Sequence, residues 1–291
     1  MGEDESAELP TGRRPPLDLR TDVPHPARMY DYFLGGKDHF PADRAAGEAA
    51  LAFFPSIRTT ALQARRFMTR VTAFLAEAGV RQFLDVGTGI PTSPNLHEVA
   101  QRVAPDARVV YVDNDPIVLA HARALLTSTS EGRTAYLEAD LRDPDGILAS
   151  PEVRETLDLN EPVALSLFAI LHFVPDGQGP DGIVSRLLDA LAPDSYLALN
   201  HATPDFVAPE IAAQVSEVYR SQGIPFQART RAEIARFFDG LELTDPGLVP
   251  VHRWRPAGEP ENIPESDIAS YGGLARLPGR GAGRARPVSG A

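Results

Sequence analysis

The chain contains no cysteine, which excludes disulfide bonds, thiolate nucleophiles, iron–sulfur clusters and cysteine zinc sites together. Long apolar runs are also absent. The longest, 163–174, is interrupted by Ser166 and His172 and is shorter than the roughly 18 residues that a membrane span needs. The N-terminus is acidic and lacks the apolar segment of a secretion signal, so we expect a cytoplasmic protein that does not bind membranes.

Positive charge is scarce as well. The 291 residues include 28 Lys and Arg against 40 Asp and Glu, which gives a net charge of −12. A surface this acidic repels a phosphate backbone and argues against nucleic acid as the main partner. The seven histidines are scattered without an i,i+4 pair, so we expect no metal site. Because 43% of the residues are hydrophobic, the composition favours a folded protein that handles a small molecule.

The chain divides into four segments by composition. Residues 1–24 and 276–291 lack hydrophobic periodicity and are rich in Gly, Pro and charged residues, so we expect two disordered tails, the second one basic. Between them we predict an N-terminal lid over 25–57 and a single domain over 58–275.

Strand-like and helical segments alternate through this domain. Strands are predicted at 81–86, 108–113, 134–139, 162–168 and 196–200, with two further candidates at 241–244 and 248–254. The helices between them begin at N-cap signals, Ser93-Pro94 and Asp115-Pro116. Helical periodicity also predicts helices at 64–78, 183–191, 207–221 and 230–238. Strands separated by helices indicate an α/β fold with a doubly wound, mostly parallel sheet.

A glycine turn follows the first predicted strand. The sequence there is Asp85-Val86-Gly87-Thr88-Gly89, and two glycines allow the backbone to turn tightly and approach a ligand. Asp113 ends the second strand, about two dozen residues on, where a carboxylate can accept hydrogen bonds from ribose hydroxyls. Asp140 ends the third strand. Three strand-end carboxylates beside one glycine turn predict a site for a ligand that contains adenosine.

The residues after this turn bear on which adenosine ligand binds. A pyrophosphate is held by backbone N–H groups at a helix N-terminus, and Pro91 and Pro94 each lack one. The dinucleotide fingerprint also asks for Gly or Ala where the chain has Thr92. S-adenosylmethionine carries no phosphate, and its cationic sulfonium and ammonium groups suit acidic walls. It is therefore the predicted cofactor.

The chain also resembles a known family. Its segments 83–89, 112–115 and 138–141 are similar to the successive cofactor motifs of class I S-adenosylmethionine-dependent methyltransferases. More narrowly, the segment 25–40 (HPARMYDYFLGGKDHF) resembles that of an uncharacterised bacterial family described as S-adenosyl methyltransferase. The similarity extends over about residues 25–255 and includes Pro91-Thr92, Leu171-His172-Phe173 and Leu248-Val249-Pro250. The third glycine of the wider superfamily is missing and Ile90-Pro91 stands in its place.

The resemblance implies a role for each matching residue. Asp85 and the turn Gly87, Thr88 and Gly89 would line the methionine and ribose portion. Asp113 would bind the ribose hydroxyls, with Asn114 beside the adenine. Asp140 would accept from the adenine amino group while Leu141 packs on the ring. Phe168 and Ala169 would close the floor of the pocket.

The aromatic residues of the 29–40 segment stand next to Gly35-Gly36, a combination that is typical of a lid with a hinge. Tyr30 and Lys37 of this lid are expected to contact the cofactor. The alternative is an N-terminal helix whose aromatic side chains simply pack on the sheet.

A general base is needed only if the methyl acceptor must lose a proton. His172 and His201 follow the fourth and fifth strands on the ligand side, and His172 is the candidate base. Arg58, Arg65, Arg66 and Arg70 precede the first strand, and the default interpretation is a solvated helix face. The alternative is that one of them reaches the cofactor carboxylate or an anionic substrate.

Three functions are consistent with these residues. The first is an S-adenosylmethionine-dependent methyltransferase acting on an unidentified small molecule. The second is a non-catalytic protein that binds S-adenosylmethionine or a metabolite with the same fold. The third, an NAD-dependent oxidoreductase, is disfavoured by Pro91, Thr92 and Pro94.

Overall fold

A computed structural model describes residues 19–125, 127–258 and 262–279. Residues 1–18 and 280–291, which belong to the predicted tails, lie outside the described residues. The strands are β1 Gln82–Val86, β2 Arg108–Asp113, β3 Arg133–Glu138, β4 Ala164–Phe168, β5 Tyr196–Ala202, β6 Glu242–Leu243, β7 Val249–Pro250 and β8 Ser270–Arg276. The α-helices are α1 Pro26–Phe33, α2 Pro41–Phe53, α3 Ile57–Glu77, α4 Leu96–Val103, α5 Pro116–Leu125, α6 Pro144–Ala149, α7 Pro151–Thr156, α8 Pro180–Asp189, α9 Pro209–Ser221 and α10 Arg231–Ala235.

The eight strands form one sheet in the order β3-β2-β1-β4-β5-β8-β6, and β7 also pairs with β8. Strands β1 to β5 are parallel, whereas β8 runs antiparallel to β5. Leu84 of β1 is aligned with Val110 on one side and Leu165 on the other. The predicted α/β fold with a doubly wound, mostly parallel sheet is confirmed.

The sheet is covered on both faces, which explains why its central strands are almost continuously apolar. On one face, Phe67 of α3 packs with Phe83 and the fully buried Trp254. On the other face, Leu165 packs with α8 and with Phe237. No helix within the described ranges has both the length and the hydropathy of a membrane span.

Helix α4 begins later than predicted. Ser93 is not its N-cap, because Asn95 has the extended backbone and forms a capping box with Glu98. Asn95 N–H donates to Glu98 Oε2 at 2.8 Å, and Thr92 N–H donates to Asn95 Oδ1 at 3.1 Å. Ser93 only adds a hydrogen bond from its hydroxyl to Glu98. The Asp115-Pro116 signal is correct, since Asp115 Oδ1 accepts from Ile117 N–H.

Strand β8 is absent from the predicted strands, although it occupies a position inside the sheet. It extends through Arg276, the first residue of the predicted C-terminal tail, and Leu277 after it is buried. Between β1 and β4 the chain order reverses, so the carboxyl ends of these strands open into a crevice at a topological switch point.

Candidate functional site

A cavity of about 620 Å³ lies at the carboxyl ends of β1, β2, β4 and β5. This volume is in the range of small-molecule and cofactor sites. Of the predicted site residues it brings together Tyr30, Asp85, Gly87, Thr88, Gly89, Asp113, Asn114, Asp140, Leu141, Phe168, Ala169 and His172. Lys37 does not line it, because that side chain is exposed on the turn after α1.

The glycine turn requires glycine at its first position for two reasons. Gly87 and Gly89 both have positive φ angles, +80° and +69°, which favour glycine. A Cβ on Gly87 would also lie 2.6 Å from Ile170, whereas a Cβ on Gly89 would meet nothing within 4 Å. Gly87 N–H donates to Val112 O at 2.8 Å, which holds the turn against β2.

Asp113 connects this turn to the next strand. One carboxylate oxygen accepts from Gly89 N–H at 2.9 Å, and the other accepts from Asp115 N–H at 2.9 Å. Each oxygen still has a lone pair for a ligand hydroxyl. The residue is buried, and burial raises the pKa of Asp113.

Asp140 is held by neighbouring polar groups at the end of β3. Its carboxylate accepts from Arg142 N–H at 2.8 Å and from Asn114 Nδ2 at 3.3 Å. Burial acts to raise the pKa of Asp140, but the hydrogen bonds from Arg142 outweigh it and hold the pKa below its ordinary value. Leu141, next in sequence, is buried against the cavity wall.

Asp85 is a second buried carboxyl of the site. Burial raises its pKa to about 7, although the nearby Arg65 guanidinium opposes the shift, and the Asp113 carboxylate adds to it. Arg65 lines the cavity and donates to the backbone carbonyls of Thr92 and Pro94. Its Nε is buried without a hydrogen-bond partner among the described residues. Of the four arginines singled out in the sequence, Arg65 is therefore the one that faces the site.

The profile of the S-adenosyl methyltransferase family matches residues 13–278. The chain belongs to this family.

Two solved structures support the assignment. A DUF574 family protein from Streptomyces avermitilis is 53% identical, with a TM-score of 0.87 over 90% of this chain and 100% of that one. A proposed methyltransferase from Thermobifida fusca is 41% identical, with a TM-score of 0.82 over 89% and 97% of the two chains. An O-methyltransferase family protein from Burkholderia thailandensis shares the fold at 16% identity and a TM-score of 0.51, over 77% of this chain and 60% of that one. Comparison with curated proteins gave no match.

The N-terminal segment of this S-adenosyl methyltransferase family member is joined to the start of α5, at the end of β2. Arg28 of α1 donates through Nε to Asp115 Oδ2 at 2.8 Å and through a terminal nitrogen to Oδ1 at 3.1 Å, and both side chains are buried. The same guanidinium binds the carbonyls of Leu19 and Arg20. Residues 19–20 and 23–24 also line the cavity.

Tyr30 lies on the other side of α1 and also lines the cavity. Its hydroxyl donates to Ala61 O of α3 at 3.0 Å. Burial raises the pKa of Tyr30 to about 12, so the phenol is neutral.

The two candidate histidines have different surroundings. The His201 ring is bound on both sides, to Ala202 O at 2.7 Å and to the buried Arg229 at 2.9 Å, and it does not line the cavity. His172 lines the cavity from the short 3₁₀ turn after β4, with Ala202 N–H 3.5 Å from its Nδ1. Burial, with the nearby His201 and Arg229, lowers the pKa of His172 well below its usual range, so its imidazole is neutral.

Phe168 and Ala169 form the cavity wall where β4 ends. Phe168 packs edge-on against Phe67 of α3, with ring centroids 5.9 Å apart. Ala169 has a positive φ of +53°, a conformation that is uncommon outside glycine and that is often found at binding sites.

Sequence reasoning missed two parts of the cavity. One is the Arg28–Asp115 ion pair, whose partners are 87 residues apart and show no local pattern. The other is a wall of aromatic side chains contributed by Phe173, Tyr219 and Phe226. Helical periodicity places Tyr219 on a helix, but no sequence signal shows which face of that helix borders the site. Within the described residues no group of three or more His, Asp or Glu side chains is placed to hold a metal ion.

Proposed function

We propose that this protein is an S-adenosylmethionine-dependent methyltransferase that acts on a small molecule. The observation that carries the proposal is Asp113, a buried carboxylate at the end of β2 that holds the glycine turn and borders the 620 Å³ cavity. A carboxylate in this position is suited to accept hydrogen bonds from two ribose hydroxyls.

The residues around Asp113 fit the rest of the donor. Asn114, Asp140 and Leu141 offer hydrogen-bonding groups and an apolar side chain for an adenine ring. Asp85 and the turn lie on the side expected for the methionine portion, where a carboxylate favours the ammonium group and Arg65 favours the carboxylate.

The capping of α4 supports a donor without phosphate. The Glu98 carboxylate already accepts Asn95 N–H, and Asn95 Oδ1 accepts Thr92 N–H. A pyrophosphate there would meet a negative charge in place of free N–H groups. Pro94 precedes the helix and so does not itself remove a helical donor. The cap of α4 and the acidic wall, and not Pro94, therefore disfavour NAD.

S-adenosylmethionine supplies an electrophilic methyl group on its sulfonium. The protein's part is to align the acceptor with that methyl and to exclude water. His172 remains the candidate base. Because burial holds the pKa of His172 well below its usual range, we expect a neutral ring that contributes hydrogen bonding at the acceptor.

The first test is binding of S-adenosylhomocysteine to the full chain by isothermal titration calorimetry. Asp113→Asn removes the charge but keeps an oxygen for the turn, and we expect its affinity to fall at least tenfold, about 1.4 kcal/mol. Asp106→Asn is the matched control, because Asp106 is largely exposed and pairs with Arg81, away from the cavity. Equal affinities in the two variants would contradict the ribose assignment.

The second test separates a methyltransferase from a non-catalytic binding protein. Tritium-labelled S-adenosylmethionine is incubated with the protein and a panel of oxygen, nitrogen and carbon acceptors. Transfer of label to an acceptor, with release of S-adenosylhomocysteine, supports the proposal. Tight binding with no transfer across the panel favours the binding protein.

A further inference from the structure

The cavity has two halves of different chemistry. All of its Asp and Arg lining residues belong to the N-terminal segment, α3 and the region from β1 to Arg142. The lining residues between 168 and 228 include no Asp, Glu, Lys or Arg. We call the wall formed by the lining residues between 168 and 228, together with Ala269 and Ser270, the apolar half.

Aromatic rings dominate the apolar half. Tyr219 of α9 and Phe226 are stacked with ring centroids 4.6 Å apart and planes 11° apart. Phe173 lies 5.9 Å from Tyr219 and 6.0 Å from Phe226. The His172 ring is 5.4 Å from that of Phe226. These rings form a continuous surface that borders the cavity.

The local structure after α9 holds this surface in place. Gly223 has a φ of +74° and reverses the chain, and Ile224 N–H then donates back to Tyr219 O at 3.0 Å. Gln227 N–H donates to His172 O at 2.8 Å, which joins the segment to the turn after β4. The rings are thus held by backbone hydrogen bonds before any ligand binds, which lowers the entropic cost of binding.

The polar groups of the apolar half are uncharged. They include Thr203, Ser270 and the neutral His172. Asn200 also lines the cavity, and its Nδ2 donates to Ser270 Oγ at 3.2 Å. Asn200 Oδ1 is buried with no hydrogen-bond partner among the described residues. A buried acceptor without a donor is costly, and an N–H or O–H on a ligand would relieve that cost.

Building on the proposed methyltransferase function, we propose that the methyl acceptor is an uncharged, flat aromatic molecule that carries an N–H or O–H group. Its ring packs against Phe173, Tyr219 and Phe226, and its N–H or O–H group donates a hydrogen bond to Asn200 Oδ1. The nearby Arg229 does not line the cavity and is already paired with Asp176 at 2.7 Å. A carboxylate or ammonium in this half would therefore lose its hydration without gaining a charged partner, so we expect charged acceptors to bind weakly there.

The experiment uses three probes that share a naphthalene ring and differ in the charge of their substituent. These are 2-naphthol, which is neutral near pH 7, the anion 2-naphthoate and the cation 2-naphthylmethylammonium. The protein is first saturated with S-adenosylhomocysteine. Calorimetry is expected to show 2-naphthol binding at least about tenfold tighter than either ion. Equal or tighter binding of an ion would overturn the proposal.

A pair of variants tests whether aromatic faces are needed. Phe226→Leu keeps an apolar side chain but removes the ring, and we expect about fivefold weaker binding of 2-naphthol. Phe206→Leu is the control, because Phe206 packs on Tyr271 and does not line the cavity. If the two variants bind 2-naphthol equally, the aromatic surface is not the acceptor site.

The same titrations distinguish failure of this inference from failure of the proposed function. If S-adenosylhomocysteine binds but the protein binds 2-naphthol no more tightly than the two ions, only the proposed acceptor class is wrong. If S-adenosylhomocysteine does not bind, the proposed function fails, and the probe series on the unloaded protein still tests the apolar half.

Discussion

Asp85 shows how one buried carboxyl links ligand binding to pH. In the free protein its pKa is raised to about 7, chiefly by burial. A cationic group beside it favours the ionised carboxylate, so binding of the donor is expected to release a proton when Asp85 begins protonated. Affinity for S-adenosylmethionine should therefore rise with pH up to about 7 and level off above it.

Calorimetry near pH 7 in buffers of different ionisation enthalpy measures this proton release directly. Asp85→Asn has no such proton and serves as the control, with an affinity that changes less with pH. A wild-type enthalpy that is independent of the buffer would show that Asp85 does not ionise on binding.

The raised pKa of Asp85 also makes the stability of the folded protein depend on pH. The folded protein holds the Asp85 proton more tightly than the unfolded chain does, so this group stabilises the free protein at low pH. The contribution is complete below the ordinary carboxyl pKa and is lost as pH rises toward 7. Bound donor offsets the loss by stabilising the ionised form.

At the scale of elements, the glycine turn offers a matched pair of substitutions. Both Gly87→Ala and Gly89→Ala place a side chain at positive φ, which costs roughly 1–2 kcal/mol. Only Gly87→Ala also overlaps Ile170, and overpacking adds about 1–3 kcal/mol. Urea unfolding is expected to show the larger loss of stability for Gly87→Ala. Equal losses would mean that Ile170 moves aside freely.

The contact between the N-terminal segment and α5 includes the buried ion pair of Arg28 with Asp115, beside apolar packing of Phe40 on Ile117. Removing one partner leaves the other charge buried, at a cost of about 3–5 kcal/mol. We expect Arg28→Ala to loosen the N-terminal segment where it lines the cavity and so to speed dissociation of tritiated S-adenosylhomocysteine. Arg81→Ala, which breaks an exposed pair, is the control. Equal dissociation rates would show that the segment does not act as a lid.

Strands β1 to β5 were predictable because each is a short, mostly apolar run that lies between helical segments, and β2 also contains three valines. Strand β8 was not, because Gly272 and Gly273 in its centre are typical of a loop. The structure explains both glycines: a Cβ would lie 2.7 Å from the Phe67 ring at one and 3.1 Å from the Phe238 ring at the other. The close packing of Phe67 and Phe238 on β8 therefore requires the two glycines, and the same glycines make this segment resemble a loop in the sequence.

The start of α4 shows a different limit. Two N-cap signals stand two residues apart, Ser93-Pro94 and the Asn95–Glu98 capping box, and only the second is used. A box satisfies two N–H groups reciprocally, whereas a serine followed by proline satisfies fewer. The sequence pattern alone does not show which of two adjacent N-cap signals begins the helix.

At the scale of the whole molecule, the sequence predicts one side of the cavity better than the other. The side formed by β1 to β3 follows from strand ends that carry Asp85, Asp113 and Asp140, which are local signals. The apolar half combines the turn after β4 with α9 and the segment behind it, so it depends on tertiary packing. The Arg28–Asp115 pair is equally non-local. The side chains at the ends of the parallel strands could therefore be predicted from the sequence. The residues that the N-terminal segment and α9 contribute to the cavity could not.

A crystal structure of the protein with S-adenosylhomocysteine tests the proposed donor site directly. We predict the ligand in the cavity at the ends of β1 and β2, with both ribose hydroxyls on the Asp113 carboxylate and the sulfur directed toward the apolar half. The same ligand bound elsewhere, or an empty crevice beside Asp113 at saturating concentration, would contradict the assignment of Asp113 to the ribose.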